Sequence, residues 1–285
     1  WREEILEGLL GSTVMGFHTR MHCLNFMDTV ERFLEARVDR EHSTLSFQKS
    51  LTAVRSYPIS IEWPPRWLKN SPPVADCHRA IRKRLGLSES ALVGVGVDRL
   101  DYTKGILERF RAVDRLLELY PHWIGKFFFV QISAPSRTQV PSYTSFQNEV
   151  LDLYKAINAK YAPRGAQPII LLPKHHEPEE LAEYYRGANL CFVSSLHDGM
   201  NLVAKEFVAS RDDEQGTLVL STFTGAAQEL TAALLVNPYA IDPCAEALNA
   251  GLEMAPSEQR ERMRLMRGLI ADKNIYRWAG GILLD

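Results

Sequence analysis

Six short apolar runs separated by amphipathic segments constrain this chain more than any other feature. They are "ALVGVGV" at 91–97, "KFFFVQIS" at 126–133, "PIILLP" at 168–173, "LCFVSS" at 190–195, "TLVLST" at 217–222 and "LLVNP" at 234–238. Each is apolar at consecutive rather than alternate positions, as strands covered on both faces of a parallel sheet must be. Between the first two, Ile106, Phe110, Val113, Leu117 and Tyr120 recur at helical spacing and can cover one face of such a sheet. A second helix is expected over roughly 142–161. A third opens at Pro178 with acidic residues in its first turn and Gly187 near its end. Strands alternating with helices predict a doubly wound α/β domain.

Residues 1 to about 62 carry a shorter set: a helix in "WREEILEGLL", a small strand "TVMGF", a helix "RMHCLNFMDTVERFLE" and a strand around "TAVRSYPISI". The Pro-rich "EWPPRWLKNSPP" at 62–73 reads as a linker. The expected division is therefore 1–62, a linker at 63–78, and a large domain over 79–285. The chain lacks a starting Met and opens already helical, so it is read as beginning mid-fold.

With 285 residues, 46% hydrophobic and 24% charged, a core is affordable, and a formal net charge of −2 argues against a nucleic-acid partner. Cys23, Cys77, Cys191 and Cys244 stand far apart with no CxxC pair, which fits reduced thiols in a cytoplasmic protein. No apolar run approaches the roughly 18 residues of a membrane span.

In an open parallel sheet, ligands bind beyond the carboxyl ends of the strands. Four segments there are polar: "DRLDYTKG" at 98–105, "SAPSR" at 133–137, "KHHEPEE" at 174–180 and "SLHDGMNLVAKE" at 195–206. Arg99 and Lys104 can hold a phosphate or diphosphate, or can merely pair with Asp98 and Asp101 at the surface. Gly199 permits close backbone approach, and Asn201 can cap a helix whose early amides face an anion. Glu206 can accept hydrogen bonds from ribose hydroxyls or be a solvated helix residue. Arg137 can bind a further phosphate or be an ordinary surface residue. "GVGVDR" has Arg99 where a third glycine would stand, and no P-loop is present, so neither NAD nor P-loop chemistry is expected. His175 and His176 lack a third ligand at metal spacing; His18 and His22 read as core or cap residues. No nucleophile elbow is found.

"GVDRLDYTKG", followed about a hundred residues later by "HDGMNLVAKE", resembles the trehalose-6-phosphate synthases, retaining glycosyltransferases of the GT-B type. The resemblance extends over "GFHTRMHCLNFMDTV", "RSYPISIE", "VQISAPSR", "HHEPEELAEYYRGAN" and "SSLHDGMNLVAKEFVASR", nearly the whole chain. It implies an internal fragment of a two-domain fold: a Rossmann-like donor domain for UDP-glucose, and the later part of a second Rossmann-like domain for glucose 6-phosphate. In that family a glycine loop, most of the acceptor site and an active-site histidine precede the position of Trp1.

Carried over by position, the resemblance makes Arg99 and Lys104 the catalytic cations on the donor diphosphate. Asp198 would contact the donor glucose, with Gly199 and Met200. Asn201, Leu202, Val203, Ala204, Lys205 and Glu206 would form the nucleotide segment, with Glu206 on ribose. His176 would meet the base through its backbone, and Arg137 would bind the acceptor phosphate. No metal or other cofactor is implied, and oligomeric state is left open. Retained donor motifs also suit glucosylglycerol-phosphate synthase, which differs in its acceptor, and a non-catalytic homologue retains a place because the upstream half is missing. The fragment by itself is expected to bind UDP weakly and transfer no glucose.

Overall fold

A computed structural model describes residues 1–134 and 141–285, with side chains from 143 onward in the second stretch. The chain divides into two compact units, Trp1–Ser60 with Lys273–Asp285, and Ile61–Asp272.

The first unit holds a mixed four-stranded sheet among the described residues. Its strands are β1 (Val14–Phe17), β2 (Arg37–Asp39), β3 (Thr44–Phe47) and β4 (Ser50–Ser56), in the order β1-β4-β3-β2. β1 runs parallel to β4, whereas β2, β3 and β4 are antiparallel neighbours. The sequence signals β1 and β4 but not the short, largely polar β2 and β3, which owe their strand form to pairing. Helices α1 (Arg2–Leu9) and α2 (Arg20–Phe33) supply Leu6, Met27 and Val30 to a core shared with Leu45 and Val54. Thr19 caps α2 by accepting from the His22 amide at 3.2 Å.

The second unit carries strands β5 (Leu92–Arg99), β6 (Phe127–Ala134), β7 (Ile169–Leu172), β8 (Leu190–Val193), β9 (Thr217–Ser221) and β10 (Leu234–Val236). All pairs are parallel, in the order β10-β9-β8-β5-β6-β7. Every expected strand is present, in the doubly wound order whose direction of winding reverses between β5 and β8. The helices of this unit are α3 (Val74–Arg84), α4 (Ile106–Leu119), α5 (Pro141–Tyr161), α6 (Pro178–Gly187), α7 (Leu202–Ser210), α8 (Ile241–Glu253) and α9 (Pro256–Asp272). On α4, Ile106, Phe110, Val113 and Leu117 are buried against Phe127 and Phe129 of β6 and Leu248 of α8. Each such side chain contributes about 1.5–3 kcal/mol by leaving water.

The expected domain limits need two corrections. The segment 61–73 is no free linker: Arg186 donates to the Pro72 carbonyl at 2.9 Å, the Arg267 guanidinium stacks on Trp63 at 5.1 Å, and α3 begins at Val74. Lys273–Asp285 belongs to the first unit, because α10 (Ile275–Leu284) is anchored there. Trp278 Nε1 and His18 Nδ1 both lie 3.2 Å from the Tyr57 carbonyl, and the Tyr57 hydroxyl donates to Asp285 at 2.7 Å. No helix among the described residues is long and apolar enough to cross a membrane, and all four cysteines are free and buried.

Burial on α3, together with the guanidinium groups of Arg211 and Arg82, depresses the His78 imidazole from 6.5 to about 4. Between those values the folded chain holds fewer protons than the unfolded one. The stabilisation is therefore present above pH 6.5 and is lost as pH falls towards 4, by at most about 3 kcal/mol. Thermal unfolding at pH 7 and pH 5 is expected to show a smaller difference in His78→Gln than in wild type; an equal difference would remove His78 as the source.

Candidate functional site

The strand order puts a crevice at the carboxyl ends of β5 and β8, where the two longest polar motifs emerge. After β5 the chain turns through Asp101–Gly105. Asp101 caps this turn, accepting from the Thr103 amide at 2.9 Å and its hydroxyl at 2.8 Å. Burial pushes the Asp101 carboxyl up, but these bonds outweigh it and hold the group below its ordinary value. Gly105 then opens α4 at φ +62°, and a Cβ there would lie 2.1 Å from the Ser194 carbonyl oxygen. Only glycine lets the turn approach the end of β8 so closely. Thr103 O accepts from the Leu196 amide at 2.8 Å, so the two loops are joined.

That closeness brings Lys104 to Asp198, with Nζ and Oδ2 2.6 Å apart and both side chains mostly shielded from solvent. Asp198 Oδ2 also accepts from Asn201 Nδ2 at 3.1 Å and Ser195 Oγ at 3.4 Å. Arg99 is exposed at the end of β5 and has no ion-pair partner among the described residues. The surface-pairing alternative for Arg99 and Lys104 therefore fails: Asp101 is engaged by the turn, and Asp98 points inward.

Asn201 caps α7, its Oδ1 accepting from the Ala204 amide at 3.0 Å. Its φ of +87° is a strained conformation for a residue with a side chain, and strain of this kind persists only where surrounding contacts enforce it. Met200 is buried, and its carbonyl accepts from Ala226 at 2.8 Å. The first-turn amides of a helix lack intrahelical partners, which leaves Leu202 and Val203 as the amides best placed for an anion. Lys205 turns inward: it is 1% exposed and pairs with Glu229 at 2.6 Å, so its ammonium serves the interior.

Glu206 is not a solvated helix residue. It accepts from the Tyr185 hydroxyl at 3.1 Å, and burial raises its pKa despite that bond. It borders a cavity of about 110 Å³ with Trp67, Pro178, Leu181 and Tyr185. His176 is buried edge-to-face against Tyr184, with ring centroids 5.7 Å apart, and its Nδ1 lies 3.1 Å from the Lys174 carbonyl. A carbonyl only accepts, so Nδ1 carries a proton; among the described residues Nε2 has no partner. Consecutive tyrosines of α6 thus hold His176 and Glu206. Arg137 lies outside the described residues.

Two parts of the site escaped the sequence. The first is Arg109, which looked like one more position on an amphipathic helix but is wholly buried and pairs with Asp98 at 2.7 Å. Burial pushes the Asp98 carboxyl up while the guanidinium pulls it down. Gly96 makes this arrangement possible, since a Cβ there would sit 2.5 Å from Arg109 Nη1. A glycine at the centre of an apolar strand was the available signal. The second is the loop after β9: Phe223 O accepts from the Asp198 amide at 3.1 Å, and Ser221 Oγ donates to Ser195 O at 2.6 Å. Among the described residues no group of three or more His, Cys, Asp and Glu side chains converges as metal ligands would.

Known proteins with this architecture are numerous. The chain is 38% identical over 280 residues to a bifunctional trehalose-6-phosphate synthase/phosphatase of Thermoproteus tenax, covering 98% of this chain and 38% of the relative. It is 37% identical over 290 residues to a trehalose-6-phosphate synthase of Mycolicibacterium vanbaalenii, covering 99% and 59%. Among solved structures, the Burkholderia xenovorans alpha,alpha-trehalose-phosphate synthase (UDP-forming) in complex with glucose-6-phosphate superposes with a TM-score of 0.91 at 34% identity. The E. coli trehalose-6-phosphate protein bound with UDP-2-fluoro glucose gives 0.92, also at 34% identity. Each of the two comparisons covers 99% of this chain and 62% of the other, so the chain spans less than two thirds of the length of these relatives. The sequence pattern of glycosyltransferase family 20 matches residues 1–284, and the chain belongs to that family.

Proposed function

We propose that the crevice between β5 and β8 binds a nucleoside diphosphate sugar, and that the complete polypeptide moves glucose from UDP-glucose to glucose 6-phosphate with retention, forming trehalose 6-phosphate and UDP. The observation that carries this is the joining of Lys104, Asp198 and the capped start of α7 at the switch point of the sheet, beside exposed Arg99. Relatives named as UDP-forming trehalose-phosphate synthases, and solved relatives holding glucose-6-phosphate or a UDP-fluoroglucose, support the choice of substrates.

In this scheme the donor diphosphate lies over the first-turn amides of α7, with Arg99 and Lys104 on its oxygens. Asp198 turns its second oxygen to the sugar hydroxyls, and Glu206 accepts from the ribose. The bond from the anomeric carbon to the phosphate oxygen breaks with its electron pair going to UDP. The acceptor's anomeric hydroxyl forms the new bond on the same face, and its proton passes to a departing phosphate oxygen. Fixed cations aimed at that developing charge lower the barrier more than the same cations in water would. His176 contacts the base through its backbone, and Arg137 contributes to the acceptor phosphate.

A coupled assay of UDP release with product identification tests this: trehalose 6-phosphate should form only with both substrates present. A product formed from glycerol 3-phosphate instead would replace the acceptor. Since Arg99 and Lys104 supply the positive charge on the diphosphate, turnover is expected to survive exhaustive treatment with EDTA. Loss of activity that added divalent ions restore would show a metal requirement.

A further inference from the structure

The Arg109 guanidinium is 0% exposed, and a charge so placed is tolerable only when its donors are used. Nη1 serves Asp98 Oδ2 at 2.7 Å and Gln131 Oε1 at 2.7 Å; Nε donates to Ser194 Oγ at 2.9 Å; and Nη2 lies 3.5 Å from the Lys104 carbonyl. One buried fork thereby meets β5, β6, the residue after β8 and the Lys104 turn. Ser194 Oγ accepts from Nε, so its single proton is left to donate. Its acceptors are the carbonyl oxygens of Gly105 at 2.7 Å and Lys104 at 3.2 Å. The direction of the chain is thus set: guanidinium to hydroxyl to the backbone of the turn that carries Lys104.

We infer that Arg109 and Ser194 are positioning residues for Lys104, forming a buried relay that holds the turn so that the Lys104 ammonium reaches its anion. This role rests on the assignment of Lys104 to the donor diphosphate. Backbone amides already hold the carbonyls of Thr103 and Gly105, from Leu196 at 2.8 Å and Arg109 at 2.9 Å; the relay adds a tie at Lys104 and a second one at Gly105, from a group that solvent does not reach. Neither Arg109 nor Ser194 touches the substrate in this account, and all of their influence passes through Lys104.

A double-mutant cycle on UDP affinity, measured by titration calorimetry with the whole chain, separates this role from simple fastening of the fold. Lys104→Ala should weaken UDP binding about ten- to a hundredfold, the range of a charge-assisted hydrogen bond. Ser194→Ala should weaken it about three- to tenfold, the worth of one neutral bond. In the Lys104→Ala background the Ser194→Ala loss should vanish. Arg109→Lys, which keeps a cation opposite Asp98 but lacks Nε, should reproduce the Ser194→Ala loss and its disappearance, and serves if Ser194→Ala does not fold. Absence of UDP binding by wild type, or unchanged binding by Lys104→Ala, would overturn the donor-site assignment. With Lys104→Ala weakened, a Ser194 or Arg109 loss that persists in its background, or no loss at all, would overturn the relay alone.

Discussion

Lys104→Ala in the complete polypeptide is expected to lower kcat by about ten- to a thousandfold, the upper end being what removal of one preorganised donor from a developing anion costs. The fold should survive the change. Asp198, the partner left behind, still accepts from Asn201 and Ser195 and keeps partial contact with solvent, so no uncompensated charge is sealed in the core. Lys104→Arg tests the geometry, because Arg retains the charge but replaces a compact ammonium with a wide fork. If steady-state kinetics gave an unchanged kcat for Lys104→Ala with native unfolding behaviour, Lys104 would have no part in the chemistry.

Gly105→Ala is expected to be the most damaging single methyl in the second unit. The left-handed backbone at φ +62° costs about 1–2 kcal/mol for a residue with a Cβ. The new carbon would also stand 2.1 Å from the Ser194 carbonyl oxygen, with backbone on both sides. One of the two loops must move, and with it the pairing of Thr103 O to the Leu196 amide. We expect a total loss above about 4 kcal/mol and a UDP site too distorted to bind. Gly125→Ala is the control: at φ +75° it carries the same backbone strain, but nothing lies within 4 Å of its Cβ, so about 1–2 kcal/mol should be its whole cost. Thermal unfolding of the two variants side by side isolates the close approach, and equal Tm values would mean that the loops adapt.

Much of the second unit was legible because its strands are buried on both faces. "FFFVQIS" and "LCFVSS" announce β6 and β8 by continuous apolarity, and Ile106, Phe110, Val113 and Leu117 announce α4 by period. Polar residues directly after the β5 and β8 runs marked the crevice before any sheet order was known, since ligands gather at that end of a parallel sheet. In the first unit β2 and β3 were missed because short, half-exposed strands have little period to detect. The segment 61–73 looked like a linker because Pro and polar residues suit loops; its attachment to Arg186 and Arg267 depends on residues more than a hundred positions away.

The charged residues divide along the same line. Arg99, Lys104 and Glu206 were identifiable as site candidates from residue type and their place after the strands, because few side chains can hold an anion or a ribose, and Asp198 from the resemblance. Their partners were not. Lys104 pairs with a residue at the end of another strand, Lys205 turns inward to Glu229, and Glu206 meets Tyr185. Arg109 changes from a helix-face residue into a buried hub only because Gly96 and Ser194 leave room and an acceptor at its tip. By itself the sequence determined the α/β class, the strands of the six-stranded sheet and the location of the crevice, since these follow from local hydrophobic pattern. Tertiary structure alone decided which charges meet, because burial and direction are set by how separate strands come into register, and spacing along one chain does not encode them.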